Sequence, residues 1–439
     1  MKNFVSIRSK ITPFDKVINV PGDKSISIRW VLLASRALGK SKAFNLLESE
    51  DVKSAIKAMR KLGVKIIKKN NFYEINGFGL QSFNKKKNII IDAGNSGTLA
   101  RLICGLLSNY NQRVKIVGDK SLSKRDFFRV IKPLEKFGAK LDSNRGKLPI
   151  KIQGTDCTNP IKYFENKGSA QCKSAVMLAA LNTTGQTIIK AKKSRDHSEL
   201  LFKYLKIPIK IIKRKKFDII KIIGKNNIPS LNYKIPSDIS SAAFFIVLTA
   251  LSKNSSLKIK NVNINPSRMG VFFILKLMGI KISKLNIKNY KGEKIADLII
   301  NSTNKIKPIN CPTKFNSLAI DEFLLIFLVA AKANGVSYFK NLSELNQKES
   351  PRLKWGSKIL NKMGIKNDVT ENSIKIFGNP NLKIDKKIII KDYLKDHRVF
   401  MTSIIAALSF GGNWKIYDKN CFRTSFPNFL KIINDLRKK

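Results

Sequence analysis

Six times along the chain, a short alternating strand-like run gives way to a small-polar stretch and then to a strongly apolar segment of helical length. These segments begin near Pro21, Asn95, Ser169, Pro236, Asp321 and Asp396. Two copies are visibly alike, VPGDKSISIRWVLLASRALGKS from Val20 and IPSDISSAAFFIVLTALSKNS from Ile235. Between them lie amphipathic, Lys-rich helical segments, most of which end in Gly and run into a strand: MRKLGVKI from Met59, LEKFGAKL from Leu134, LKLMGIKI from Leu275 and LNKMGIK from Leu360. Gly at that place predicts a left-handed helix end. The copy near Tyr204 carries Lys-Ile-Pro instead. Each repeat therefore reads as β-α-β-α-β over about 73 residues, with the apolar helix buried on all sides and the Lys-rich helix facing water. A break near Tyr233 to Pro236 leaves three repeats on each side. The expectation is an α/β chain of two similar domains, 22–235 and 236–439, with 1–21 joined to the second.

Composition narrows the possibilities. A hydrophobic share of 43% fits a folded chain, and the most apolar run, Phe323 to Ala331, is far too short to span a bilayer. The N-terminus lacks a signal-type apolar core, so a cytoplasmic address is the default expectation. Five scattered cysteines without a CxxC pair exclude a zinc ribbon and argue against a disulfide framework. Two histidines, His197 and His397, leave little material for a multi-histidine metal site or a Ser-His-Asp triad. The net charge of +54 points either to an anionic partner or to a compositional bias toward Lys, Ile and Asn. The lysines are spread along the chain instead of forming one arm, which favours the bias. Lys85 to Lys87 and Lys213 to Lys216 read as solvated hairpin or loop segments.

The repeats carry a chemical consequence. A helix N-terminus presents unpaired N–H groups and partial positive charge, which suits phosphate and carboxylate. The stretches at those ends, Asp23-Lys24-Ser25, Asn95-Ser96-Gly97-Thr98 and Ser169-Ala170-Gln171, are where an anionic ligand is expected.

Ten stretches in order carry a family resemblance. They are PGDKSISIR from Pro21, DAGNSGTLAR from Asp92, LSKRDFFRVIKPLEKFGA from Leu122, GSAQCKSAVMLAALNTTG from Gly168, SRDHSE from Ser194, NPSRMG from Asn265, IDEF from Ile320, KESPRL from Lys348, KDHR from Lys395 and TSFPNF from Thr424. Together they resemble the 5-enolpyruvylshikimate-3-phosphate synthases, in the flavour of the bacterial class II enzymes, over nearly the whole chain. The resemblance implies a two-domain inverse α/β barrel of six repeats, helices inside and sheets outside. It implies transfer of the enolpyruvyl group of phosphoenolpyruvate to shikimate 3-phosphate by a monomer, with no metal or organic cofactor and no nucleic-acid or membrane partner.

By the same resemblance, Lys24, Arg125, Arg352 and Arg398 hold phosphoenolpyruvate, with the Asn95, Gly97 and Thr98 backbone and Gln171. Ser25, Arg29, Asp321 and Lys348 hold the shikimate ring. Ser169, Ala170, Gln171 and Arg195 hold its 3-phosphate. Asp321, alone or with Lys348, is the base at the 5-hydroxyl, and Glu349 or Lys24 moves the proton at C3. The chemistry asks for such a set. Each phosphate carries about −1.5 to −2 charge, and a unit-charge pair at ~4 Å in a medium of effective dielectric near 20 is worth about 4 kcal/mol. Several fixed cations are needed, and the Arg fork binds phosphate bidentately. Motifs split over both halves predict domain closure on binding.

Each residue has a plainer reading when taken alone. Asp321 reads as a helix cap before an apolar run, Lys24 and Arg29 as surface cations, and Gly94 and Gly97 as turn glycines. Asp396-His397-Arg398 reads as an ordinary helix start. Co-occurrence in order is what favours the site. Ala34-x4-Gly39-Lys40-Ser41 loosely matches a phosphate loop, but Gly39 reads as closing a helix where a true loop opens one. Two departures stand out: Ile28 where class II members usually have His, and Pro351 in place of the family's Asp. Ser350 is expected as N-cap and Pro351 as first helical residue. Three rivals stay open: transfer to UDP-N-acetylglucosamine by the sister enzyme, a basic nucleic-acid binder, and an enzyme decayed through Pro351. The sister enzyme needs a loop Cys, and Gly118 to Arg129 carries Arg125 and no Cys.

Overall fold

The computed structural model describes residues 3–83 and 88–438, so Lys85 to Lys87 lie outside the described residues. Its contacts divide the chain into two compact units. The N-terminal unit comprises Gly22–Ile235 and the short segment Tyr290–Glu293. The C-terminal unit comprises the chain up to Pro21, Pro236–Asn289 and Lys294–Lys439. The sequence boundaries did not foresee the Tyr290–Glu293 segment, because a four-residue turn between two strands leaves no mark in periodicity.

The N-terminal unit holds α1 (Lys24–Arg36), α2 (Glu50–Lys61), α3 (Gly97–Leu107), α4 (Phe128–Lys136), α5 (Ala170–Ala180) and α6 (His197–Tyr204). The C-terminal unit holds α7 (Ile239–Leu251), α8 (Gly270–Leu277), α9 (Phe323–Ala331), α10 (Arg352–Met363), α11 (His397–Phe410) and α12 (Phe429–Arg437). The odd-numbered helices are the apolar ones, and every residue of α9 is buried. Each unit also holds three sheets.

One repeat shows the plan. Strand Ile89–Asp92 runs parallel to Arg113–Val117 through the α3 crossover. Next, α4 leads to Lys140–Asn144, which forms a hairpin with Lys147–Gln153, and that last strand pairs antiparallel with Arg113–Val117. The repeat is thus β-α-β-α-β-β, one strand longer than expected. The hairpin turns at Arg145 and Gly146, both at positive φ. Burial alternates along Lys147–Gln153, with its Leu and Ile side chains directed into the unit.

Local signals set most of these elements. Asp23, Ser96, Ser169, Asp238 and Asp396 each accept a backbone N–H with the side chain at the start of a buried helix. The small-polar stretches are therefore N-caps, each worth about 0.5–2 kcal/mol against Ala. The matching copies from Val20 and Ile235 supply Asp23 and Asp238 at the same place. Four Lys-rich helices end at Gly63, Gly138, Gly279 and Gly364, all between φ 87 and 105°. At the irregular copy, Lys206 takes φ 55° instead.

The Gly39 reading needs correction. α1 ends at Arg36, Ala37 is already extended, and Gly39 lies inside strand Ala37–Phe44 opposite Gly77. The phosphate-loop match fails all the more, since Gly39-Lys40-Ser41 opens no helix. Lys213 to Lys216 form an exposed hairpin end, as read. No helix among the described residues is long and apolar enough to cross a membrane.

One close approach positions the chemistry. α3 and α5 meet so tightly that a Cβ on Gly105 would lie 2.0 Å from the Ala175 carbonyl oxygen. Only Gly permits that contact, and it sets the N-termini of the two helices side by side.

Candidate active site

In the N-terminal unit, the adjoining starts of α3 and α5 are tied by side chains. Gln171 donates through Nε2 to Thr98 Oγ1 at 3.0 Å and accepts from Arg101 Nη1 at 2.9 Å. Arg101 also donates to the Gly97 carbonyl (3.3 Å) and the Asp126 carbonyl (3.1 Å), and its guanidinium lies 4.6 Å from the Phe127 ring centre. Burial pulls its pKa below the usual arginine value. Arg125, half-buried, closes the same space: a Cβ on Gly97 would lie 2.8 Å from Arg101 Nη1 and 2.9 Å from Arg125 Nη1. Asn95 donates to Asp119 Oδ2 at 2.7 Å, which braces the turn before α3.

Lys24 opens α1 and pairs with Asp51 Oδ2 at 3.0 Å, the carboxylate being nearly buried. Ser25 beside it is half-buried, and its carbonyl accepts from Arg29 Nη1 (3.0 Å). Arg29 is no surface cation. It is 4% exposed and donates to Ser198 Oγ (2.8 Å) and Ser174 Oγ (2.9 Å). Burial draws its pKa down to about 10, against the pull of Glu199 and Asp23. Ser169, Ala170 and Gln171 form the start of α5, with Ser169 Oγ capping Cys172 N at 3.3 Å. Glu165 shapes the approach by accepting from the Gly168 N–H (2.7 Å) and from Arg129 (3.4 Å). Arg195 is half-buried, two residues before α6. Ile28 is wholly buried in the apolar core of this unit.

The C-terminal unit carries a different cluster, rich in carboxylates. Arg352, at the start of α10, meets Asp396 through Nε (2.9 Å) and Nη2 (3.2 Å), Asp321 through Nη1 (3.4 Å), and Glu349. Burial alone would lower its pKa, but Asp396, Glu349 and Asp321 together reverse this and hold it above the ordinary value. Asp321 also pairs with Lys348 at 3.5 Å. Glu322, and not Asp321, stands at the α9 N-cap position, and it makes no side-chain cap bond. Arg398 donates to the Ser240 carbonyl (3.5 Å), lies 3.9 Å from Glu322 Oε1, and stands 5.5 Å from the Phe244 ring centre.

The Ser350 expectation is corrected here. α10 begins at Arg352, and Pro351 takes the N-cap position with no side-chain cap bond. Ser350 instead gives both its N–H (3.2 Å) and its hydroxyl (2.9 Å) to Asp396 Oδ2. A fully buried carboxylate needs every donor within reach, and this outweighs one cap bond.

Sequence reasoning thus brought together Asp321, Lys348, Glu349 and Arg352, and likewise Asn95, Gly97, Thr98, Arg125 and Gln171. It missed Asp51, Arg101, Arg268 and Asp396 as partners. Arg101 was findable, lying four residues after Gly97 on one helix face inside a quoted motif. Arg268, in NPSRMG, donates to Ser240 Oγ at 2.6 Å and pairs with Asp238 at 3.4 Å. No group of three or more His, Cys, Asp or Glu side chains among the described residues is placed to hold a metal ion.

Residues 9–433 match the family described as EPSP synthase (3-phosphoshikimate 1-carboxyvinyltransferase). A protein of that name from Ruthia magnifica subsp. Calyptogena magnifica is 42% identical, with 95% of this chain and 94% of the relative covered. An EPSP synthase structure from Acinetobacter baumannii superposes with TM-score 0.86 at 34% identity, over 98% of this chain and 97% of that one. The enolpyruvyl transferase NikO from Streptomyces tendae shares the fold alone, with TM-score 0.76 at 13% identity over 99% and 97% of the two chains. The chain belongs to the EPSP synthase family.

Proposed function

We propose a division of labour between the two clusters for the reaction of this family. The enzyme moves the enolpyruvyl (1-carboxyvinyl) group of phosphoenolpyruvate to the 5-hydroxyl of shikimate 3-phosphate and releases phosphate, a step toward the aromatic amino acids. In the N-terminal cluster, Lys24, Arg125, Gln171 and the Asn95, Gly97 and Thr98 backbone bind phosphoenolpyruvate. Ser25, Arg29, Ser169, Ala170, Gln171 and Arg195 bind shikimate 3-phosphate. In the C-terminal cluster, Arg352 and Arg398 neutralise phosphoenolpyruvate, while Asp321 and Lys348 take the ring hydroxyls.

Asp321 then removes the proton of the 5-hydroxyl as its oxygen attacks C2, and C3 gains a proton from Glu349 or Lys24. Loss of that C3 proton expels phosphate from the tetrahedral intermediate and restores the double bond. Protons balance, and no redox step occurs. The observation that carries the reading is the pair of helix starts at α3 and α5, joined by Gln171 and flanked by Arg101 and Arg125. Amide dipoles and guanidinium forks together suit doubly charged phosphates.

The wider reading is an inverse α/β barrel enzyme of two three-repeat domains, 22–235 and 236–439 with 1–21, monomeric and cytoplasmic. It needs no cofactor and no nucleic-acid or membrane partner. The buried odd-numbered helices and the three sheets of each unit support the barrel.

Phosphate release from phosphoenolpyruvate tests it, run with shikimate 3-phosphate and separately with UDP-N-acetylglucosamine. Release is expected with the first acceptor only. Release with the second, or with neither, would reject the reading.

Gly97 makes a further prediction. The family's glyphosate-insensitive members carry Ala here, and the parent chain should be inhibited by glyphosate. A methyl at Gly97 meets the movable ends of Arg101 and Arg125 instead of backbone, so Gly97→Ala should stay folded. Displacing those guanidinium groups should raise KM for phosphoenolpyruvate about tenfold and blunt inhibition. Equal sensitivity in the two proteins would contradict it.

A further inference from the structure

A buried polar knot stands behind the start of α5. Lys173 Nζ, one turn into α5, meets Glu199 Oε1 of α6 at 2.5 Å, with both side chains about 5% exposed or less. Beside it Ser174 Oγ and Ser198 Oγ lie 2.7 Å apart, and Arg29 of α1 donates to both. The two helices joined here carry Ser169 to Gln171 at one start and Arg195 just ahead of the other.

We infer that the Lys173–Glu199 pair is a positioning device, which fixes α5 against α6 so that Ser169, Ala170, Gln171 and Arg195 address the same substrate phosphate. This rests on the reading of those four residues as the 3-phosphate site.

Stability gives a poor account of the pair. Removing two charges from water costs more than their attraction returns unless every remaining lone pair is satisfied, and well-packed apolar residues often do as well. Here Glu199 Oε2 is buried without a hydrogen-bond partner, so the pair is not built for maximal stability. Direction is what an ion pair adds. Apolar side chains tolerate sliding, because burial is non-directional, whereas Nζ and Oε1 meet in only one register of the two helices. Glu199 also helps keep the buried Arg29 charged.

The test compares steady-state kinetics and melting temperature of the parent, Lys173→Met/Glu199→Leu, Glu199→Gln and Ser169→Ala. The double variant should melt no lower than the parent, yet its KM for shikimate 3-phosphate should rise about tenfold or more. Its kcat should stay within about threefold, as should that of Glu199→Gln. An unchanged KM for shikimate 3-phosphate in a folded variant overturns the inference, as does a loss confined to kcat. If the double variant does not fold, Glu199→Gln decides by the same criteria, and failure of both to fold makes the pair a stability element and overturns the inference too. Ser169→Ala separates the two levels. If it leaves that KM unmoved, the phosphate-site reading fails; if it raises KM while the pair variants do not, only the positioning inference fails.

Discussion

Asp321→Ala is expected to lower turnover at least about a hundredfold, the usual range for losing a general base, while the protein stays folded. Asp321 is half-buried, and its carboxylate lies between Lys348 at 3.5 Å and Arg352 at 3.4 Å. Those cations aim it, as proton removal from a hydroxyl requires. The fold survives because Arg352 retains Asp396 and Glu349, so no buried cation is stranded. Lys24→Ala and Glu349→Ala should show losses of similar size. Rapid-quench or steady-state phosphate release measures the rate, and circular dichroism reports the fold. Near-parental turnover in the Asp321 variant would mean that the base lies elsewhere.

The second large effect is on stability. Asp396 is wholly buried and accepts from Arg352 Nε and Nη2, from Ser350 N–H and hydroxyl, and from Arg398 N–H. Asp396→Ala removes the helix cap of α11 and the main counter-charge of Arg352 together. Breaking a buried pair from one side costs about 3–5 kcal/mol, and the lost cap adds about 1 kcal/mol. Thermal unfolding should begin well below that of the parent, and KM for phosphoenolpyruvate should rise, because Arg352 and Arg398 both lose their fixed positions. A melting profile like the parent's would show that Glu349 and Asp321 suffice to hold the guanidinium.

The same residues bear on Pro351. Arg352 is held by Asp396, Glu349 and Asp321 without a carboxylate at 351, and Ser350 spends its donors on Asp396. The Arg352 guanidinium is therefore held in place with Pro where the family resemblance leads one to expect Asp.

Much of the fold was legible because its signals are local. Asp23, Ser96, Ser169, Asp238 and Asp396 cap helices within three residues of themselves, and a helix apolar on every face, such as Phe323 to Ala331, has nowhere to go but inward. The glycines at 63, 138, 279 and 364 mark helix ends for an equally local reason. The hairpin of Lys140–Asn144 and Lys147–Gln153 and the end of α1 before Gly39 escaped, since strand pairing across a turn, or directly after a helix, is set by partners distant in the chain.

The sequence alone determined the six repeats, the helices that must be buried, the caps at their starts and the family to which the ordered motifs belong. Tertiary structure alone decided which charge meets which. Lys24 went to Asp51, Arg352 to Asp396, Lys173 to Glu199, and Arg29 into the interior between two serines. The reason is physical: capping and periodicity act over a few residues, whereas a side-chain pair depends on how helices far apart in the chain are packed, and no local pattern encodes that distance.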